Sequence, residues 1–216
     1  MSLVERLIDL TFTKLPTPQN PNRTFEGTDT NTVKVSGLRT SVTILKAGGQ
    51  GLSQAQVRVF GMPLSIMNQL STLGKPLAYT ITPATITIEA GDSQNGMSVV
   101  FQGNITQAWA DFNSAPEVSF NILAFVGALI AAAPTAASSF PGAADVATIL
   151  AGLATRAGLN FENNGVNVKL ASPYFPGSLM AQISACADAA GISHIIDNGT
   201  LAIWPANGSR HDLAPL

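Results

Sequence analysis

Charge is scarce in this sequence: Asp, Glu, Lys and Arg make up 11% of its 216 residues, where an ordinary soluble domain carries about a quarter. Little of the surface can then be covered by ions, which suits a chain whose surface is largely taken up by assembly contacts. The eleven Lys and Arg are scattered, and thirteen acids leave a net charge of −2. That excludes the clustered basic patch that phosphates require, so no specific nucleic-acid binding is expected. Cysteine occurs once, at Cys186, which rules out an internal disulfide or a C-x-x-C redox or metal motif and fits a reducing cytoplasm. The two histidines, His194 and His211, have no His, Cys or carboxylate at ligand spacing and read as structural; no metal or cofactor is expected.

Other signatures are missing too. There is no G-x-S-x-G elbow, H-E-x-x-H pair or Walker loop, and Gly74-Lys75-Pro76 lacks the loop and the Ser/Thr of a phosphate site. The N-terminus has no basic region followed by an apolar run, so no signal peptide is expected. The most apolar segment, Ile122 to Pro134, is about a dozen residues long, short of the ~20 that span a bilayer. It reads as a buried strand rather than a membrane span. Asn22, Asn104, Asn198 and Asn207 stand in N-x-[ST] sequons, which an Asn- and Thr-rich chain produces by chance.

What is present divides into two halves. Up to about residue 125, apolar residues alternate at period two: Val33 and Val35, Val42 and Ile44, Val57 and Val59, Ile86 and Ile88, Val99 and Phe101, then Val118, Phe120 and Ile122. This is the pattern of strands with one buried face. Gly and Asn at Ala47–Gly51 and Gly91–Gly96 supply turns. The spacing predicts one helix, with Ile66, Met67, Leu70 and Leu73 on a face, Pro63 at its start and Gly74 at its end. The Pro/Ala/Ser/Gly segment Pro134–Gly142 sets the expected boundary, giving domains 1–133 and 134–216.

In the second half, Asp145 is placed to cap a helix with Val146, Ile149, Leu150 and Leu153 inward and Gly158 at its end. Asn163-Asn164-Gly165 predicts a hairpin between Leu159–Glu162 and Val166–Leu170. Ser178 begins a second helix with Leu179, Ile183, Cys186 and Ala190 on one face, stopped by Gly191. Asn198-Gly199 then turns Ile192–Asp197 into Leu201–Trp204. The expected fold is mainly β: an antiparallel sheet or barrel with one helix, then a small helix-hairpin-helix-hairpin α+β domain.

Val33–Arg39, Ala55–Met62, Glu89–Asp92 and Val100–Ile105, followed by Val146–Leu150, Gly158–Asn163 and Leu201–Pro205, resemble in order the segments of phage baseplate hub proteins of contractile tails, the late control protein D group. The resemblance implies a tube-like β-barrel that forms a homotrimeric ring of six barrel-like units. It also implies partners: the tail tube protein above, a central spike protein below and baseplate wedge proteins around. The setting is the virion tail baseplate, assembled in the host cytoplasm, with the genome passing through the ring at ejection and no enzymatic activity. Comparable proteins continue into another β-rich region beyond the Ile-Trp-Pro strand, whereas this chain stops at Leu216; the expectation is a short member or a truncated one.

Met62, Ile66, Met67 and Leu70 are too many apolar residues for a free helix surface and are candidates for a barrel plug or a subunit interface. An alternative function is a carbohydrate-binding or cell-wall-degrading module of the tail tip. It would use Trp109, Trp204 and carboxylates among Glu89, Asp92, Asp111 and Glu117. Core positions for the tryptophans and solvated positions for the carboxylates are the simpler expectation.

Overall fold

The structure is a computed structural model and describes residues 4–17, 20–49, 51–73 and 84–210. Gly74, Lys75, Pro76 and His211, named above, lie outside the described residues. The chain forms two compact units: Met1–Leu45 with Gln54–Val126, and Lys46–Ser53 with Gly127–Leu216. The division after Val126 falls seven residues before the Pro/Ala-rich segment, and a short loop from the first half belongs to the second unit.

The first unit is built on β1 (Arg6–Lys14), β2 (Thr32–Val35), β3 (Thr40–Leu45), β4 (Gln54–Phe60), β5 (Ala84–Asp92), β6 (Gly96–Asp111) and β7 (Ser119–Phe125), with helix α1 (Leu64–Leu70). The strands make one antiparallel sheet in the order β2-β1-β5-β6-β7-β4-β3. Leu10, Phe12, Val57, Val59, Ile86, Ile88, Phe101, Ile105, Phe120 and Ile122 line its buried face, as the period-two pattern requires. Val99 departs from that pattern. Ile88 pairs with Phe101 but Glu89 pairs with Val99, so Val100 is a bulge residue and Val99 turns outward, 41% exposed. A second bulge skips Thr106, where Ile105 pairs with Ala124 and Gln107 with Leu123.

The expected barrel is not closed. Among the described residues no ladder joins the edge strands β2 and β3. Yet the two edges are separated by only the four residues Ser36–Arg39, which reach at most about 18 Å from Val35 to Thr40. A flat sheet would hold them about 29 Å apart, six strand spacings. The sheet is therefore strongly curled, and its two edge strands, separated by Ser36–Arg39, run in the same direction. The long strand β6 allows this stagger, pairing through Gly96–Asn104 with β5 and through Asn104–Asp111 with β7.

Helix α1 starts at Pro63, without a side-chain cap, and presses Met67 and Leu70 inward. Thr72 then stitches its end to β6: the Ala108 N–H donates to Thr72 Oγ1 (2.9 Å), and the Thr72 N–H donates to the Ala108 carbonyl (2.8 Å).

The second unit contains α2 (Ala128–Ala132), β8 (Ser138–Ser139), β9 (Ala143–Asp145), α3 (Val146–Arg156), β10 (Asn160–Asn163), β11 (Lys169–Ala171), β12 (Tyr174–Phe175), α4 (Leu179–Ala190), β13 (Ile192–Asp197) and β14 (Thr200–Pro205). The Ile122–Pro134 run is thus not a single strand: Gly127 takes a left-handed conformation after β7, and a short helix follows. Both long helices begin as the sequence predicts. Asp145 accepts from the Thr148 N–H at 2.8 Å and Ser178 from the Ala181 N–H at 3.4 Å, while left-handed Gly191 ends α4.

Of the two expected hairpins, β13–β14 forms and the one around Asn163-Asn164-Gly165 does not. β10 instead pairs in parallel with β14, and β11 pairs with β9. The Asn163 side chain and the Asn164 main chain explain the change. Asn163 Oδ1 accepts from the Val166 N–H (2.8 Å), a local turn that needs no second strand, while the Asn164 N–H donates to the Ile203 carbonyl on β14 (2.8 Å).

Candidate functional site

Among the surface features of the first unit are a free edge and a groove. Strand β3 offers the edge. The Phe60 N–H donates to the Arg39 carbonyl (3.0 Å), and Thr40 to Leu45 pair in unbroken register with Val59 to Gln54. Antiparallel alternation then turns the peptide groups of Ser41 and Thr43 toward β4 and those of Thr40, Val42 and Ile44 toward the open side. The edge reads Thr-Ser-Val-Thr-Ile-Leu and lacks charge, proline and bulge, the devices that usually blunt such edges.

The groove, of about 540 Å³, lies on the outer face of β3, β4, β7 and β6, lined by Ser41, Thr43, Gln56, Arg58, Trp109 and Asn121 among others. Asn121 forms its floor and is 9% exposed. Its Oδ1 accepts from Arg58 Nε at 3.0 Å, and its Nδ2 donates to Ser119 Oγ at 3.4 Å. Trp109 is 37% exposed, so the expected core position is corrected: the second bulge leaves odd-numbered Gln107, Trp109 and Asp111 on the outer face. Trp204, at the end of β14, is half-buried.

The four apolar interface candidates separate. Met62, Met67 and Leu70 are buried within the first unit, and Leu70 is fully enclosed; area already removed from water cannot serve another subunit. Ile66 is half-buried, whereas Leu64 (52%) on α1 and Leu73 (68%) beyond its end are exposed.

The candidate carboxylates all have local work. Lys34 Nζ sits between Asp9 (2.9 Å) and Glu89 (3.1 Å), and its hydrogen bond holds the Asp9 carboxyl below its usual range. Asp92 accepts from Asn95 Nδ2 and from the N–H groups of Asn95 and Gln94, which lowers its pKa as well. Asp111 Oδ1 accepts from the Asn113 N–H (3.0 Å), and Glu117 pairs with Arg39 at 2.7 Å. Among the described residues, no three His, Cys, Asp or Glu side chains stand together as a metal site, and no helix is long and apolar enough to cross a membrane. Cys186 is buried in α4, where desolvation pushes its thiol up to about 12.

The second unit holds a buried imidazole. His194 is 3% exposed and its Nε2 has no hydrogen-bond partner. Burial lowers its pKa from the ordinary 6.5, with Asp188 opposing. Its carbonyl accepts from the Gly49 N–H at 3.0 Å, and Lys46 pairs with Asp197 on the same strand, so β13 anchors the Lys46–Ser53 loop. Unfolded chains take up the His194 proton near 6.5, the folded unit only at lower pH. Stability is therefore complete above about pH 6.5 and falls below it, by at most about 1.4 kcal/mol per pH unit. Denaturant midpoints of the second unit measured from pH 7 down to about pH 5 are expected to decline, and a His194→Leu variant should flatten that decline. Asp145 and Glu162, both held low by hydrogen bonds from Thr148 and Arg210, add their losses only in stronger acid.

Sequence reasoning missed Arg58 and Asn121 as a pair. The signals were an arginine between Val57 and Val59, and one polar residue inside the Phe120–Phe125 apolar run.

A mainly antiparallel β unit followed by a small α+β unit is a fold that this chain shares with solved tail proteins. The chain superposes on the 43 kDa tail protein of prophage MuSo2 from Shewanella oneidensis with a TM-score of 0.58 at 9% identity, covering 97% of this chain and 58% of that one. The tail protein of Neisseria meningitidis MC58 gives 0.59 at 10% identity, covering 98% and 54%. The Francisella PdpA-VgrG complex in its half-lidded form gives 0.52 at 11%, covering 97% and 33%. The chain thus spans little more than half the length of these tail proteins. No curated protein matches it in sequence. The family model described as baseplate hub gp41 matches residues 22–210, and the chain belongs to that family of structural phage baseplate proteins.

Proposed function

We propose that this chain is a non-enzymatic hub subunit that closes a homotrimeric ring in the virion baseplate, joining the tail tube protein to the central spike protein and letting DNA pass. The unpaired, uncharged edge of β3 carries this reading. Its outward peptide groups at Thr40, Val42 and Ile44 are a template for a strand of the neighbouring subunit, and a closed ring leaves no such edge exposed. Exposed Leu45 at the end of β3, with Leu64 and half-buried Ile66 on α1, offers apolar side chains for subunit contact, whereas Met62, Met67 and Leu70 are buried. A surface with few cations suits a lumen through which phosphates must slide without binding. Baseplate wedge proteins surround the ring, and assembly takes place in the host cytoplasm.

Light scattering across a concentration series tests this. The purified chain is expected to have the mass of a trimer. Val42→Pro removes one outward N–H without touching the β3–β4 ladder and is expected to weaken association at least about a hundredfold, while Val42→Ala stays trimeric. A wild-type monomer at every concentration, or a Val42→Pro protein that remains trimeric, overturns the edge-pairing ring.

A further inference from the structure

The outer-face groove has a chemistry that the ring does not use, because ring closure through β3 engages an edge and the groove occupies a face. Its wall at Trp109 is an exposed indole, and around it stand hydroxyls from Ser41 and Thr43 and the amides of Gln56 and Asn121. Arg58 is its one charged lining residue. No salt bridge to Arg58 exists among the described residues. Asn121 accepts from its Nε, which fixes the guanidinium plane and leaves the Nη1 and Nη2 end without a carboxylate. An arginine so held is a ready fork for a carboxylate.

We infer that this groove binds an acidic saccharide, with a sugar ring stacked on Trp109, its hydroxyls on the surrounding amides and hydroxyls, and its carboxylate on Arg58. Three observations select this ligand class. A volume of about 540 Å³ falls within the range of small-ligand sites. The strands under the floor, β4 and β7, are paired on both sides, so no main-chain groups there remain to ladder an extended peptide, and recognition falls to side chains. Those side chains combine donors with acceptors, as vicinal hydroxyls require, and the lining has no carboxylate to repel an anion.

Titration calorimetry of the full chain with trigalacturonate, its methyl-esterified neutral form and an oligoglutamate peptide tests the inference. Trigalacturonate is expected to bind, at least about tenfold tighter than the neutral form, which is the worth of a charge-assisted fork. Arg58→Met should erase that preference while leaving neutral-sugar binding, and Arg58→Lys should restore part of it. Trp109→Ala should weaken both sugars about tenfold or more. Arg58 and Trp109 are both exposed, so an unchanged circular dichroism melt certifies each variant as folded. The idea is overturned by absence of saccharide binding at millimolar concentration, by affinities indifferent to Arg58 and Trp109, or by oligoglutamate binding more tightly than trigalacturonate through Arg58, which would make the groove a peptide site.

Discussion

Replacing Phe101 by alanine is expected to lower the stability of the first unit by about 3–5 kcal/mol, the usual cost of deleting a fully enclosed ring. Phe101 is wholly buried on β6, and its ring lies over Gly103, two residues along the same face. A Cβ built on Gly103 would stand 2.7 Å from Cε1 and Cζ of Phe101 and 2.9 Å from the Phe125 carbonyl oxygen. Glycine is thus required by close approach, not by backbone conformation. Gly103→Ala should overpack the site, costing about 1–3 kcal/mol. In the double variant the clash with the ring disappears, so its loss should fall short of the sum of the single losses by about 1 kcal/mol or more. Denaturant unfolding of the four proteins reads out all three numbers. Strict additivity would show that Phe101 and Gly103 do not share the space.

Gln182→Leu should be comparably harmful to the second unit. Gln182 is fully buried in α4. Its Nε2 donates to the carbonyls of Ala136 (2.9 Å) and Gly177 (2.8 Å), and its Oε1 accepts from Ser138 Oγ (2.6 Å). Arg156 of α3 joins the same network, donating to Ser138 Oγ at 2.8 Å. One amide therefore ties the segment before β8 and the entry to α4 to the helix pair. Leucine fills similar volume but leaves two carbonyls and a hydroxyl without this partner, at about 1–3 kcal/mol for each group that stays buried. A total loss of about 3 kcal/mol or more is expected, together with faster proteolysis around Thr135–Gly142. Gln182→Glu separates packing from donation: it keeps the shape and cannot donate to the carbonyls when ionised, so its defect should ease in acid. Retention of the wild-type melting temperature by Gln182→Leu would refute the clamp.

The local rules were legible where one residue decides one feature. Asp145 and Ser178 cap their helices, Gly191 ends α4, Asn198-Gly199 turns β13 into β14, and the alternation of Val57 and Val59 or Ile86 and Ile88 points inward. The sequence also carried the family resemblance through its ordered apolar and turn segments. Legibility failed where partners distant in the chain compete. Asn163-Asn164-Gly165 can turn a hairpin, but β14 takes β10 as a parallel neighbour and Asn164 binds Ile203. The two bulges in β6 are set by pairing with β5 and β7, and they alone decide that Val99 and Trp109 face outward. Strand closure could not be read either, because Val33 and Val42 look like members of successive strands and sit on opposite edges of one sheet. The groove was invisible for a related reason: Arg58 and Asn121 are far apart in sequence and meet only through the β4–β7 register, which pairs them directly.

The loop Lys46–Ser53 interrupts a strand pair of the first unit and yet belongs to the second. Heredity meets an obstacle there. A recombination joint placed between Val126 and Gly127 would hand a descendant the second unit stripped of Lys46 and Gly49, the groups that Asp197 and His194 hold, while stranding those groups beside an unrelated recipient. Exchange of modules among such genes should therefore favour joints outside both units, and any lineage that did inherit a foreign second unit should carry compensating changes within these eight loop residues.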